Sequence, residues 1–148
     1  TVPQLAAYLQ QPLAVDNASA LLMLSIASGM VRDELNQDIS QAVGDVVLFD
    51  PVGSAPMVLL AEMPVTAVTL VETLNSTTLL WTTADPITYT VSKRTGIITG
   101  KPWTGVQWPS DPESWRVTYT HGYLTPPDGL AGVVCGVAAR PYSSPAAV

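Results

Sequence analysis

Apolar residues near the start of the chain recur at helical spacing. Leu5, Leu9 and Leu13 stand four apart within residues 2–13, and Pro3 suits a first turn, so a short helix ending near Pro12 is expected. Asp16 offers an N-cap for a longer helix over about 17–37, with Leu21, Leu24, Val31 and Leu35 along one side and Leu22, Ile26 and Met30 along another. A helix that only covers a sheet needs one stripe. The second side is therefore expected to pack on the first helix or on an adjacent subunit, and the sequence leaves both open.

Beyond Ala42 the period shortens. β-Branched runs at 46–49, 57–60 and 65–71, punctuated by Pro51, Gly53, Pro56 and Pro64, read as strands. Further strands are expected at 79–82, 87–91 and 97–99, the last two joined as a hairpin through Lys93-Arg94-Thr95-Gly96. Residues 100–112 read as a long loop carrying Trp103 and Trp108. Trp115, Val117 and Tyr119 then alternate with Arg116, Thr118 and Thr120, the pattern of a half-buried strand with Trp115 facing inward. Pro126 and Pro127 suit a helix start, and Leu130, Val133, Val134 and Val137 mark an apolar stripe despite Gly129, Gly132 and Gly136, until Pro141 and Pro145 stop it.

The expected fold class is α+β, one domain over 1–148. Helices within 3–37 and 127–140 pack together, a central antiparallel β insertion spans 43–121, and residues 141–148 form a C-terminal tail. A chain of 148 residues suffices for one such core.

Composition adds a constraint on the surface. Charged residues are only 12% of the chain against 47% hydrophobic, so part of the apolar exterior is expected to be covered by neighbouring subunits. The net charge is -6, and no basic cluster exceeds the pair Lys93 and Arg94, which argues against a protein that grips phosphates with a cationic face. An acidic chain suits a place beside DNA only where the polymer must slide past. The longest apolar stretch, 18–26, is far shorter than the roughly 20 residues of a membrane span, and no basic segment of signal-peptide type precedes it. A soluble protein made in a cytoplasm, without membrane contact, is the expectation.

Candidate chemistry is sparse. The lone Cys135 allows no intrachain disulfide, and within Gly132-Val133-Val134-Cys135-Gly136 it reads as a small buried apolar side chain. His121, the only histidine, invites a triad reading, but the pattern favours a turn residue whose ring packs where strand meets helix. Trp103, Trp108 and Trp115 suit packing better than a sugar-binding platform. Asp45, Asp50, Asp111 and Glu113 lack the spacing of a metal loop, so neither metal nor cofactor is expected, and no catalytic residue is assigned. Lys93 and Arg94 are candidates for contact with DNA in a channel or with a neighbour, set against an exposed turn made soluble by two charges.

Three segments, taken in order, carry a resemblance. Met63-Pro64-Val65-Thr66-Ala67-Val68 is followed by Tyr89 with Thr95-Gly96-Ile97-Ile98, then by Val117-Thr118-Tyr119-Thr120-His121-Gly122-Tyr123 before Pro126-Pro127-Asp128. This order resembles head-to-tail connector (adaptor) proteins of tailed bacteriophages with actinobacterial hosts. The resemblance implies a non-enzymatic virion protein of the neck, forming a homo-oligomeric ring, usually dodecameric, beneath the portal protein. Stopper or tail-completion proteins would attach on its other side, and double-stranded DNA would pass through without specific binding. It also makes Arg140, Pro141 and Tyr142 candidates for portal contact. Another neck or tail ring protein, or a carbohydrate- or receptor-binding module, remains an alternative.

Overall fold

The two ends of the chain are helical because only there do apolar residues repeat every three to four positions. In the computed structural model, which describes residues 1–53 and 55–143, these ends form α1 (Val2–Leu9), α2 (Ala18–Leu35) and α3 (Asp128–Ser143). The chain divides into two compact units, residues Thr1–Gln37 with Thr125–Val148, and residues Asp38–Leu124. The central β insertion is thus a unit in its own right, and the expected packing of helices from both ends is found in the other.

In the helical unit, Val2, Leu5, Ala20, Leu24, Ala27, Cys135, Ala138 and Ala139 form one buried cluster. Alanines on α2 and α3 let the helix axes approach closely. That choice of phase corrects the expected stripe on α3: Val133 is turned outward, because Cys135, Ala138 and Ala139 face the core. The α2 cap is Asn17 rather than Asp16, since the side-chain oxygen of Asn17 accepts the Ala20 N–H at 3.0 Å. The first helix stops at Leu9, where Gln10 turns left-handed (φ 54°), ahead of the expected end near Pro12. At the other end α3 continues through Pro141 to Ser143 instead of stopping at 140. Proline so near the terminus forfeits one N–H bond, while Ala138 and Ala139 keep the preceding turn packed. Residues 144–148 of the expected tail lie outside the described residues.

The β unit holds two antiparallel sheets. One has four strands in the order β1 (Ala42–Phe49), β7 (Trp115–His121), β3 (Val65–Leu74), β4 (Trp81–Thr83); the other orders β2 (Met57–Leu59), β6 (Ile97–Gly100), β5 (Tyr89–Ser92). Strand β7 is central, and its alternation places Trp115, Val117 and Tyr119 in a core with Phe49, Val58, Leu60, Val65, Val71 and Ile98. Trp115 is fully buried, as the alternation predicts. The 93–96 hairpin forms as read, closed by Gly96 N–H to the Ser92 carbonyl at 2.8 Å.

Two strands begin later than expected. Leu79 and Leu80 belong to the β3–β4 turn, because the Asn75 side chain accepts the N–H groups of Thr77 and Thr78 and the Asn75 carbonyl accepts that of Leu79. Asp85 likewise accepts the Ile87 N–H, starting a short 3-10 turn at 86–88 that delays β5 to Tyr89.

Candidate functional site

His121, the residue that invites a catalytic reading, is packed inside the β unit. His121, only 2% exposed, ends β7 with its ring 4.9 Å from that of Tyr119 and its Nε2 3.2 Å from an Asp45 carboxylate oxygen. Gly122 follows with φ 77°, and a Cβ there would collide with the Ser40 carbonyl. This glycine lets the chain leave β7 directly against residues 39–41, where Tyr123 and Gln41 exchange backbone hydrogen bonds with Ile39 and Tyr123 respectively. Sequence reading placed His121 at a turn but missed Asp45 as its partner, which lies on another strand 76 residues away.

The aromatic residues serve the core of the β unit. Trp108 stacks on Trp115 at 4.6 Å and meets the Tyr89 ring edge-on at 6.5 Å. It lies flat over Gly100, where a Cβ would penetrate the indole. With Trp108 and Trp115 closed on each other, Trp103, 80% exposed, is the one of the three that faces solvent. An open cleft of about 560 Å³ lies beside this stack, lined by Thr73, Asn75, Thr82, Gln107, Trp108 and Asp111 among others. Of the loop carboxylates, Asp50 accepts the Glu113 N–H at 2.6 Å and so ties loop to strand. No group of three His, Cys, Asp or Glu side chains able to hold a metal occurs among the described residues.

Cations are largely engaged in folding. Arg116 on β7 forms a two-pronged pair with Glu72 on β3, both bonds 2.7 Å, and lies 4.5 Å above the Trp81 ring. The hydrogen bond and charge of Arg116 hold the Glu72 carboxyl below its ordinary pKa. Lys101 donates to the Ile87 carbonyl at 2.9 Å, and Lys93 to the Thr66 carbonyl at 2.7 Å. The candidate hairpin tip therefore folds Lys93 back onto β3, leaving Arg94 at an exposed position beside it. At the far end of the chain, Arg140 and Pro141 are exposed on the last turns of α3, which also includes Tyr142.

What the surface offers instead is uncovered apolar area. On α2, Leu22, Ile26 and Met30 are 57%, 49% and 56% exposed. On the outer face of the four-stranded sheet stand Val46 and Leu48, and at loop tips Leu79, Leu80, Ile87 and Leu124. The open second side of α2 resolves one alternative left by the sequence: it does not pack on α1. No helix among the described residues is long and apolar enough to cross a membrane.

No protein-family model and no curated protein sequence matches the chain. Its fold, however, is that of solved neck structures of gene transfer agent (GTA) particles. A chain in the neck of the native particle, computed with C12 symmetry, superposes with a TM-score of 0.65 at 18% identity, over 99% of this chain and 79% of that one. A chain in the neck of the empty particle, computed with C6 symmetry, gives 0.63 at 18% identity, over 99% and 80%. The likeness covers residues of both units.

Proposed function

We propose that this chain is a structural, non-enzymatic ring subunit of the neck of a phage-like particle, a head-to-tail adaptor that docks on the portal, extends the DNA channel and receives stopper or tail-completion proteins. The observation that carries the reading is the full-length likeness to chains of GTA particle necks. Physical features support it independently. Uncovered apolar faces on α2 and the sheet suit contact with neighbouring subunits. A net charge of -6, with Lys93, Lys101 and Arg116 tied into the fold, suits a channel wall past which DNA slides. In this reading the end of α3, with Arg140, Pro141 and Tyr142, reaches the portal, Tyr142 as aromatic anchor and Arg140 as pairing charge. Arg94, with Lys93 behind it, meets DNA or a neighbouring subunit.

Deleting this one gene from a particle-producing host tests the assignment. The expected result by electron microscopy is DNA-deficient or leaking heads beside finished, unattached tails. Complete particles that fail only to bind cells would instead point to a receptor-binding module.

A further inference from the structure

Charge is unevenly matched along this chain. Lys93 and Lys101 donate to the carbonyls of Thr66 and Ile87, Arg116 pairs with Glu72, and Arg32 and Arg140 have partners inside the chain. Arg94 is the one basic side chain among the described residues with none. It stands exposed at the β5–β6 tip, on a turn fixed by the Gly96 N–H on the Ser92 carbonyl at 2.8 Å and by the Thr95 hydroxyl on the Ser92 hydroxyl oxygen at 2.7 Å. A turn held this firmly presents its side chains with little ordering left to do on contact.

The opposite case lies where β1 ends and β7 begins. Phe49 faces Trp115 across these strands, so Asp50, Asp111 and Glu113 come to one corner of the four-stranded sheet. Asp50 accepts the Glu113 N–H at 2.6 Å, and Glu113 itself is left-handed at φ 52°. All three acidic residues are exposed, and none pairs with a cation among the described residues. Repulsion between them is therefore relieved by nothing in the chain's own fold.

We propose that Arg94 at the hairpin tip of one copy docks on the Asp50, Asp111 and Glu113 corner of the next copy, and that this pairing sets the order of copies in the ring; the inference rests on the neck reading above and chooses the neighbouring copy over DNA as the partner of Arg94. One free cation per copy is too few for a face that grips phosphates, where affinity grows with each phosphate neutralised. It does match a corner of carboxylates that lack a cation, which a guanidinium can engage with two-pronged hydrogen bonds. Tip and corner belong to different sheets of one chain, so the contact is heterologous and runs from copy to copy until a ring closes. Exposed ion pairs add little affinity each, and the role of this one is to choose partner and register.

Two variants with opposite defects test this: Arg94→Glu, and Asp111→Lys combined with Glu113→Lys. Asp50 is kept, because its carboxylate holds the Glu113 N–H. The substituted positions are exposed, so both variants are expected to keep the circular dichroism and urea midpoint of the native chain. Produced alone in a host lacking the native gene, each is expected to fall at least about tenfold in the amount of chain retained per purified particle. Produced together in equal amounts, they are expected to recover to within about twofold of the native level, because alternating copies restore an opposite-charge pair at successive contacts. Should lysine disturb the loop, Asp111→Asn with Glu113→Gln keeps its shape and is expected to cut retention at least about threefold. Normal retention of any of these variants alone, or no recovery on mixing, would overturn the proposed contact while leaving the neck assignment standing. Normal retention of Arg94→Glu with leaking DNA would likewise overturn it and give Arg94 to DNA instead. Absence of the native chain from purified particles would remove the neck assignment itself, and this contact with it.

Discussion

Two glycines fix positions that no other residue can occupy without moving its neighbours. At Gly100 a Cβ would enter the Trp108 indole, and at Gly122 it would meet the Ser40 carbonyl in a backbone already at φ 77°. Gly100→Ala and Gly122→Ala are each expected to lower stability by about 1–3 kcal/mol, read as a fall in the urea midpoint. The Glu72–Arg116 pair gives a pH signature. Because the folded Glu72 carboxyl sits below its ordinary value, the stability it contributes is complete above the ordinary glutamate pKa and is lost as pH falls through the lowered one. The wild type should therefore lose more stability on acidification from neutral pH than Glu72→Gln, in matched urea titrations; parallel curves would contradict it. Local alternation revealed the inward Trp115, and apolar context revealed the buried Cys135. The partners Asp45 and His121, Trp108 and Gly100, Glu72 and Arg116 were not legible, because each joins separate segments of the β unit and depends on register.

At the scale of elements, α2 divides into a side that holds the fold and a side that does not. Leu24→Ala, in the buried cluster, is expected to cost about 2–5 kcal/mol, whereas Ile26→Ala, on the open side, should stay within about 0.5 kcal/mol of wild type in thermal or urea unfolding. Equal losses would mean that the open side supports the isolated chain. Both sides of α2 were visible as apolar spacing, but which of them met α3 was not, since periodicity gives the angle between faces and not the neighbour each face finds. The phase of α3 was misjudged for a related reason. Val134 and Val137 do pack against the buried cluster, but Val133 faces outward, and the small residues Cys135, Ala138 and Ala139 take the centre where three helices must pack closely. The strand limits near residues 79 and 87 moved because Asn75 and Asp85 bind nearby N–H groups and begin turns that hydropathy cannot register.

For the whole molecule, the sequence carried the order of elements, the α+β class and a surplus of apolar surface over charge, and the fold likeness to GTA necks extends over almost the entire chain. The surfaces that would meet the portal or DNA are short and spread over both units, which is why composition alone could not single them out. Reversing charge at both Lys93 and Arg94 separates their proposed roles: a contact role predicts reduced ring assembly or DNA retention in particles, while unchanged assembly and retention would leave them as a solubilising turn. The central claim is the position of this chain at the neck. A cryo-electron microscopy map of intact particles tests it most directly. The account predicts a ring of subunits with this fold between the head vertex and the tail, with α3 ends directed at the portal. Finding the fold at the tail tip, or nowhere in the particle, would contradict it.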